Sequence, residues 1–218
     1  MTRRSDIKNL IWTSFLLGLL LFACGGKKGT TPEKTAQQLT AEAWSLFESA
    51  DYDGAKAGFE EALSKDANYA DAYNGRGWSY GFLDMKDEAL VDFQSAINKG
   101  LDKPDAHVGL AGLYLGKEEF QSAATHAWAA LSMDSDYSFS HKSSINYLDL
   151  HLILAQAYYG LGDDYLDSAQ VQVDYLNPAN HLDPTDPNTW KVSGQTYATY
   201  PEALLKEIQR LEQIIGEP

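Results

Sequence analysis

Small and bulky apolar residues return along this chain every 34 positions. Ala43, Gly77 and Ala111 form one column, Ala55, Ala89 and Ala123 a second, and Ala62, Ala96 and Ala130 a third. Bulk recurs between them, with Leu46, Tyr80 and Tyr114 in one column and Phe59 and Phe93 in another. Within a period the apolar positions stand three and four apart. Tyr73, Gly77, Tyr80 and Leu83 share one helical face, and Ala89, Phe93 and Ala96 share another. The spacing predicts two helices of about three turns in each period, joined by a short turn. The turns fall near Ala50-Asp51-Tyr52-Asp53, Asp84-Met85-Lys86-Asp87 and Gly116-Lys117-Glu118-Glu119. Small residues let two helix axes approach, and the phenylalanines fill the space toward the next pair. A single pair cannot bury its apolar face alone, so the period predicts a stacked array with copies at residues 36–69, 70–103 and 104–137.

The beat loosens after Ser135. Residues 134–144 are polar and predict a loop. A divergent fourth copy follows at about residues 145–176 if roughly ten residues are inserted, because Ala155 and Tyr158 repeat the spacing of Ala111 and Tyr114. Its second helix is expected near residues 164–176, with Ser168 as the small residue. Asn177-Pro178, Asp183-Pro184 and Asp186-Pro187 then push the residue before each proline out of helix, predicting an irregular segment. From Pro201 a last helix carries Leu204, Leu205, Ile208, Leu211, Ile214 and Ile215 on one stripe. An array needs its final apolar face covered, so residues 177–218 are expected to end in a capping helix.

These columns resemble the tetratricopeptide repeat family. Gly77, Tyr80, Ala89, Phe93 and Ala96 match its pattern at all five positions. Leu46 in copy one and Ala127 in copy three replace aromatics, and the late proline is replaced by Ala67, Leu101 and Ser135. The resemblance implies an all-α, right-handed superhelical array whose first helices line a concave groove for a protein or peptide partner, with no catalysis, cofactor or metal. On that alignment the groove residues are Trp44, Phe47, Trp78, Phe82, Leu115 and Tyr159. Aromatic side chains bury large areas and make strong anchors. The cations with which some relatives clamp a terminal carboxylate are absent here, since Arg76 is the only Lys or Arg on the first helices of the three clear copies.

The N-terminus adds an address. Arg3, Arg4 and Lys8 precede an apolar run over residues 10–23, shorter than the roughly 20 residues a membrane-spanning helix needs. The run ends Leu21-Phe22-Ala23-Cys24-Gly25, which resembles the lipobox of bacterial lipoproteins. Residues 1–23 then read as a signal peptide, Cys24 as the lipidated residue and residues 24–32 as a flexible tether. Acyl chains contribute roughly 0.8 kcal/mol per buried CH₂, enough to hold the chain at a membrane. Cys24 is the only cysteine, so no internal disulfide is available. The resemblance implies a lipid-anchored envelope protein, on the outer membrane facing the periplasm, serving outer-membrane, pilus or cell-wall assembly. A glycan-binding surface lipoprotein using the groove aromatics is the alternative.

Without its signal the chain keeps 14 basic and 30 acidic residues, a net charge of −16. That disfavours nucleic acid, whose binding depends on neutralising phosphates, and suits solubility or a basic partner. Nothing in the sequence forms a catalytic or metal-binding set. His107, His126, His141, His151 and His181 are scattered, with no HExxH spacing. His107 and His151 fall in the same early helix column, where packing is the expected role.

Overall fold

The computed structural model describes residues 33–215. The expected signal peptide and the tether, with Cys24, lie outside the described residues. Among those described, nine α-helices follow in order: α1 (Ala36–Glu48), α2 (Tyr52–Lys65), α3 (Ala70–Phe82), α4 (Lys86–Asn98), α5 (Asp105–Gly116), α6 (Phe120–Met133), α7 (Tyr147–Leu161), α8 (Leu166–Leu176) and α9 (Tyr200–Ile215). Each odd helix packs on the even helix that follows and the even helix before it. The odd helices also touch one another in sequence, so α1, α3, α5, α7 and α9 make an inner layer and the even helices an outer one. This is the expected all-α array.

The turn inside each pair shows the period most directly. Ala50, Asp84 and Glu118, spaced by 34, all have positive φ, at 63°, 59° and 58°. Each closes its helix with a Schellman arrangement: the N–H of Asp51, Met85 and Glu119 donates to the carbonyl of Leu46, Tyr80 and Tyr114 at 2.9–3.0 Å. In copy four the positive-φ residue between the paired helices is Gly162, at φ 97° and ψ −167°, 44 residues after Glu118 and with a geometry different from the other three. The ten extra residues expected between copies three and four are therefore accounted for.

The alanine columns are fully buried, as are Phe59 and Phe93. The Leu46, Tyr80, Tyr114 column is not fully buried, although both tyrosines pack against the edge of the core. Leu46 is 37% exposed, and the tyrosines are half-buried at the end of their helices. Tyr80 lies under Arg76, and Tyr114 stacks on His126.

Copy four departs from expectation in its second helix. A 3₁₀ turn over Asp163–Tyr165 precedes α8. Ala169 and Val173 take the seam, while Ser168 is half-buried. The tighter turn rotates the face by about one residue. Gln172 and Tyr175, which break the family pattern, both serve His151: Gln172 Oε1 lies 2.7 Å from its Nδ1, and Tyr175 stacks on the ring at 3.8 Å.

The segment after α8 holds a two-residue antiparallel ladder, β1 (Lys191–Val192) with β2 (Gln195–Thr196), closed by Ser193 and Gly194 at φ 50° and 81°. Positive φ at both central residues suits the twist of a tight hairpin. Helix α9 then covers α7 and α8 with Ala203, Leu204, Ile208 and Leu211. Ile214, expected on that stripe, is 59% exposed, and Glu207 is buried in it instead. Glu207 is tolerated because Arg210 and Asn177 both donate to its carboxylate.

Candidate partner-binding face

The inner layer is where the sequence places a groove, and the structure shows that half of it is filled. Trp44 and Phe47 on α1 and Trp78 on α3 are 5%, 2% and 8% exposed. They are covered by the loop over residues 134–146, which joins α6 to α7 and folds back across the inner face. Phe139, fully buried, sits among all three rings. Its centroid is 4.5 Å from Trp78 in a stacked arrangement, 5.9 Å from Trp44 and 6.1 Å from Phe47 edge-on. His141 lies flat on Trp44 at 3.8 Å, with its Nδ1 2.8 Å from Glu48 Oε1. Lys142 stands 5.4 Å over the ring of Phe82. Trp44 and Phe47 do not line an open groove, because the loop excludes water from their rings, and Trp44 offers no free face for a sugar.

Of the six expected groove residues, Phe82 is the most exposed, at 36%. It joins the aromatic cluster, stacked on Tyr52 at 4.7 Å and edge-on to Phe47 at 5.3 Å. Leu115 is half-buried against the same core. Tyr159 is half-buried against the second core, under α9. The six residues therefore do not form one continuous surface.

The polar partners beneath the loop follow the 34-residue beat and then break it. Trp44 donates its indole N–H to Asp71 Oδ2 at 3.2 Å, and Lys103 holds the other oxygen at 3.3 Å. One rung on, Trp78 and Asp105 stand in the same places. Asp105, however, accepts from the Tyr137 hydroxyl at 3.1 Å and from Asn74 Nδ2 at 3.4 Å. The Trp78 N–H is left buried without a partner. Burial pushes the Asp105 carboxyl above its ordinary range, against the opposing pull of the Tyr137 hydrogen bond. Burial likewise raises the Tyr137 hydroxyl, with the Asp105 charge adding to it.

Where the loop ends, an apolar cleft of about 340 Å³ stays open between α3, α5 and α7. Trp78, Phe82, Leu113, Ile145 and Ile153 line it, with Gly81 and Gly112. A Cβ on either glycine would meet nothing within 4 Å. Asp149 also reaches the cleft, but its carboxylate is engaged in capping α7, accepting from Asn146 N at 2.7 Å. Among the described residues no group of three or more His, Cys, Asp or Glu is placed to hold a metal ion. No described helix is long and apolar enough to cross a membrane.

Tyr137 and Phe139 stand among serines and acids, so no helical spacing marks them in the sequence. The signal was there: bulky residues at alternate positions, within a segment longer than the repeat requires.

No family model matches the chain, and no curated protein matches it. Solved structures do. YrrB, described as a TPR protein with an unusual peptide-binding site, aligns with a TM-score of 0.60 at 20% identity, covering 82% of this chain and 87% of that one. The MamA protein aligns with a TM-score of 0.56 at 16% identity, covering 82% of this chain and 92% of that one. The paired helices, the 34-residue turn register and these alignments together show a tetratricopeptide-repeat fold with a C-terminal capping helix.

Proposed function

We propose that this protein is a non-catalytic scaffold that binds a segment of a partner protein at the middle of its inner face, anchored in the cell envelope by a lipid on Cys24. The observation that carries the reading is the open apolar cleft between α3, α5 and α7, next to a wall that already holds a loop of the chain by its side chains. Such a cleft accepts apolar side chains of a partner segment, with affinity set by how well they fill it. The peptide-binding site named for YrrB supports a peptide as the class of ligand. The lipid anchor is supported by the residues around Cys24 alone.

The cleft can be closed without disturbing the core. Gly112→Leu adds a side chain where space exists. Peptides selected on the wild-type chain from a displayed library should lose at least about ten-fold in affinity for Gly112→Leu, a cost of about 1.4 kcal/mol. Equal binding to both proteins, or no selected peptide at all, would remove the cleft as the site. Enrichment of Lys and Arg in the selected peptides would identify a basic partner. Mass spectrometry of the N-terminal peptide from the natural source tests the anchor: an unmodified Cys24 would end that part of the reading.

A further inference from the structure

The loop over residues 134–146 is seated as a ligand would be. Tyr137, Phe139 and His141 point inward while Ser138 and Ser140 are exposed, an alternation that starts in the stretch where Ser138 bridges Asn146 and runs into the turn at Ser140 and His141. Its main-chain hydrogen bonds stay within itself and its own base: Phe139 N to Ile145 O, Lys142 N to Phe139 O, Ile145 N to Lys142 O, and Tyr147 N to Tyr137 O. Its grip on the inner wall comes from side chains. The segment is also surplus to the fold, because the other connections between pairs need only residues 66–69 and 99–104.

We infer that this loop is a displaceable self-ligand, and that the partner segment which replaces it carries aromatic side chains two residues apart, in the register of Tyr137 and Phe139. The inference rests on the inner face being the binding face, as proposed above. The hydrogen-bond pattern under the loop shows that exchange need not strand the buried carboxylate. With Tyr137 in place, Asp105 is satisfied and the Trp78 N–H has no partner. When Tyr137 leaves, Trp78 can donate to Asp105 as Trp44 does to Asp71. One buried hydrogen bond is exchanged for another, so departure leaves Asp105 with a donor. The open cleft adjoins the loop through Ile145, so a partner that enters the cleft meets the loop at its base.

The test uses the full chain in detergent and a labelled synthetic peptide covering residues 134–146. In the wild type the built-in loop competes, and apparent affinity falls with the fraction of molecules whose wall is free. Phe139→Ala weakens that competitor, so the peptide should bind this variant at least about ten-fold more tightly than wild type. A peptide carrying alanine in place of Phe139 should fail to compete. Thermal melts confirm that the variant is folded. Tyr137→Phe, which keeps the ring and removes only the bond to Asp105, should give a smaller gain in the same direction. No gain in either folded variant would overturn the inference. Library-selected peptides that bind wild type and Phe139→Ala equally, while still losing affinity for Gly112→Leu, would leave the cleft as the site and end the self-ligand reading.

Discussion

Phe59 occupies the space where a side chain of Gly75 would be. A Cβ at Gly75 would fall 2.2 Å from Phe59 Cζ, and 34 residues on a Cβ at Gly109 would fall 2.4 Å from the ring of Phe93. Each large ring of one pair is thus matched to a missing side chain in the next. The third step reverses the assignment, with Ala127 at the aromatic position and Ile153 at the glycine position.

This pairing predicts opposite signs for two glycine substitutions. Gly75→Ala must displace a fully buried ring and should destabilise by about 1–3 kcal/mol. Gly112→Ala meets nothing and gains helix propensity, so it should stabilise by about 0.5–1 kcal/mol. Chemical denaturation midpoints decide between them. Combining Gly75→Ala with Phe59→Leu should recover part of the loss, a non-additivity expected of contacting residues.

The three strained turns predict stabilising changes. Ala50 and Glu118 sit at φ 63° and 58°, where a Cβ is unfavourable. Ala50→Gly and Glu118→Gly should each stabilise by about 0.5–1 kcal/mol, and Asp84→Gly by less, because Asp tolerates this region better. Gly162→Ala, at φ 97° and ψ −167°, should cost about 1–3 kcal/mol. Thermal melts of the four single variants would show whether the turn geometry governs these signs.

His107 and His126 face each other between α5 and α6, with Nδ1 atoms 2.9 Å apart, so one must donate and the other accept. Burial lowers the pKa of both from 6.5, and His107 lowers His126 further. For a base whose folded pKa is depressed, protonation favours the unfolded chain. Stability should therefore be full at pH 8 and decline as pH falls below about 6.5. In His126→Gln the decline should be shallower. Melting temperatures taken from pH 8 to pH 5 on both proteins, with parallel curves, would show that this pair does not contribute.

Glu207 ties the cap to the array. Burial alone pushes its carboxyl up, but hydrogen bonds from Arg210 and Asn177 bring it below its ordinary 4.5. The stabilisation is therefore present above about pH 4.5 and lost as pH falls below it. Arg210→Ala leaves a buried carboxylate with one fewer partner and should cost about 3 kcal/mol. Amide hydrogen exchange should show the loss first in α9, and protection in α9 equal to wild type would contradict this account.

Sequence alone determined the array. Helix pairs, their turns, the buried alanine columns, Phe59, Phe93 and the covering helix all follow from spacings of three, four and 34, which are local enough to read along the chain. It also located the surplus residues between copies three and four. What they do was decided only by the tertiary structure. His141 reaches Glu48, 93 residues earlier in the chain, and Phe139 lies between two tryptophans on different rungs. No periodic signal encodes such a contact, because it depends on where a stacked array brings its inner face within reach of a later loop. The expected groove residues lie on helices of the inner layer, but whether they met solvent, a partner or the chain itself depended on that long-range closure.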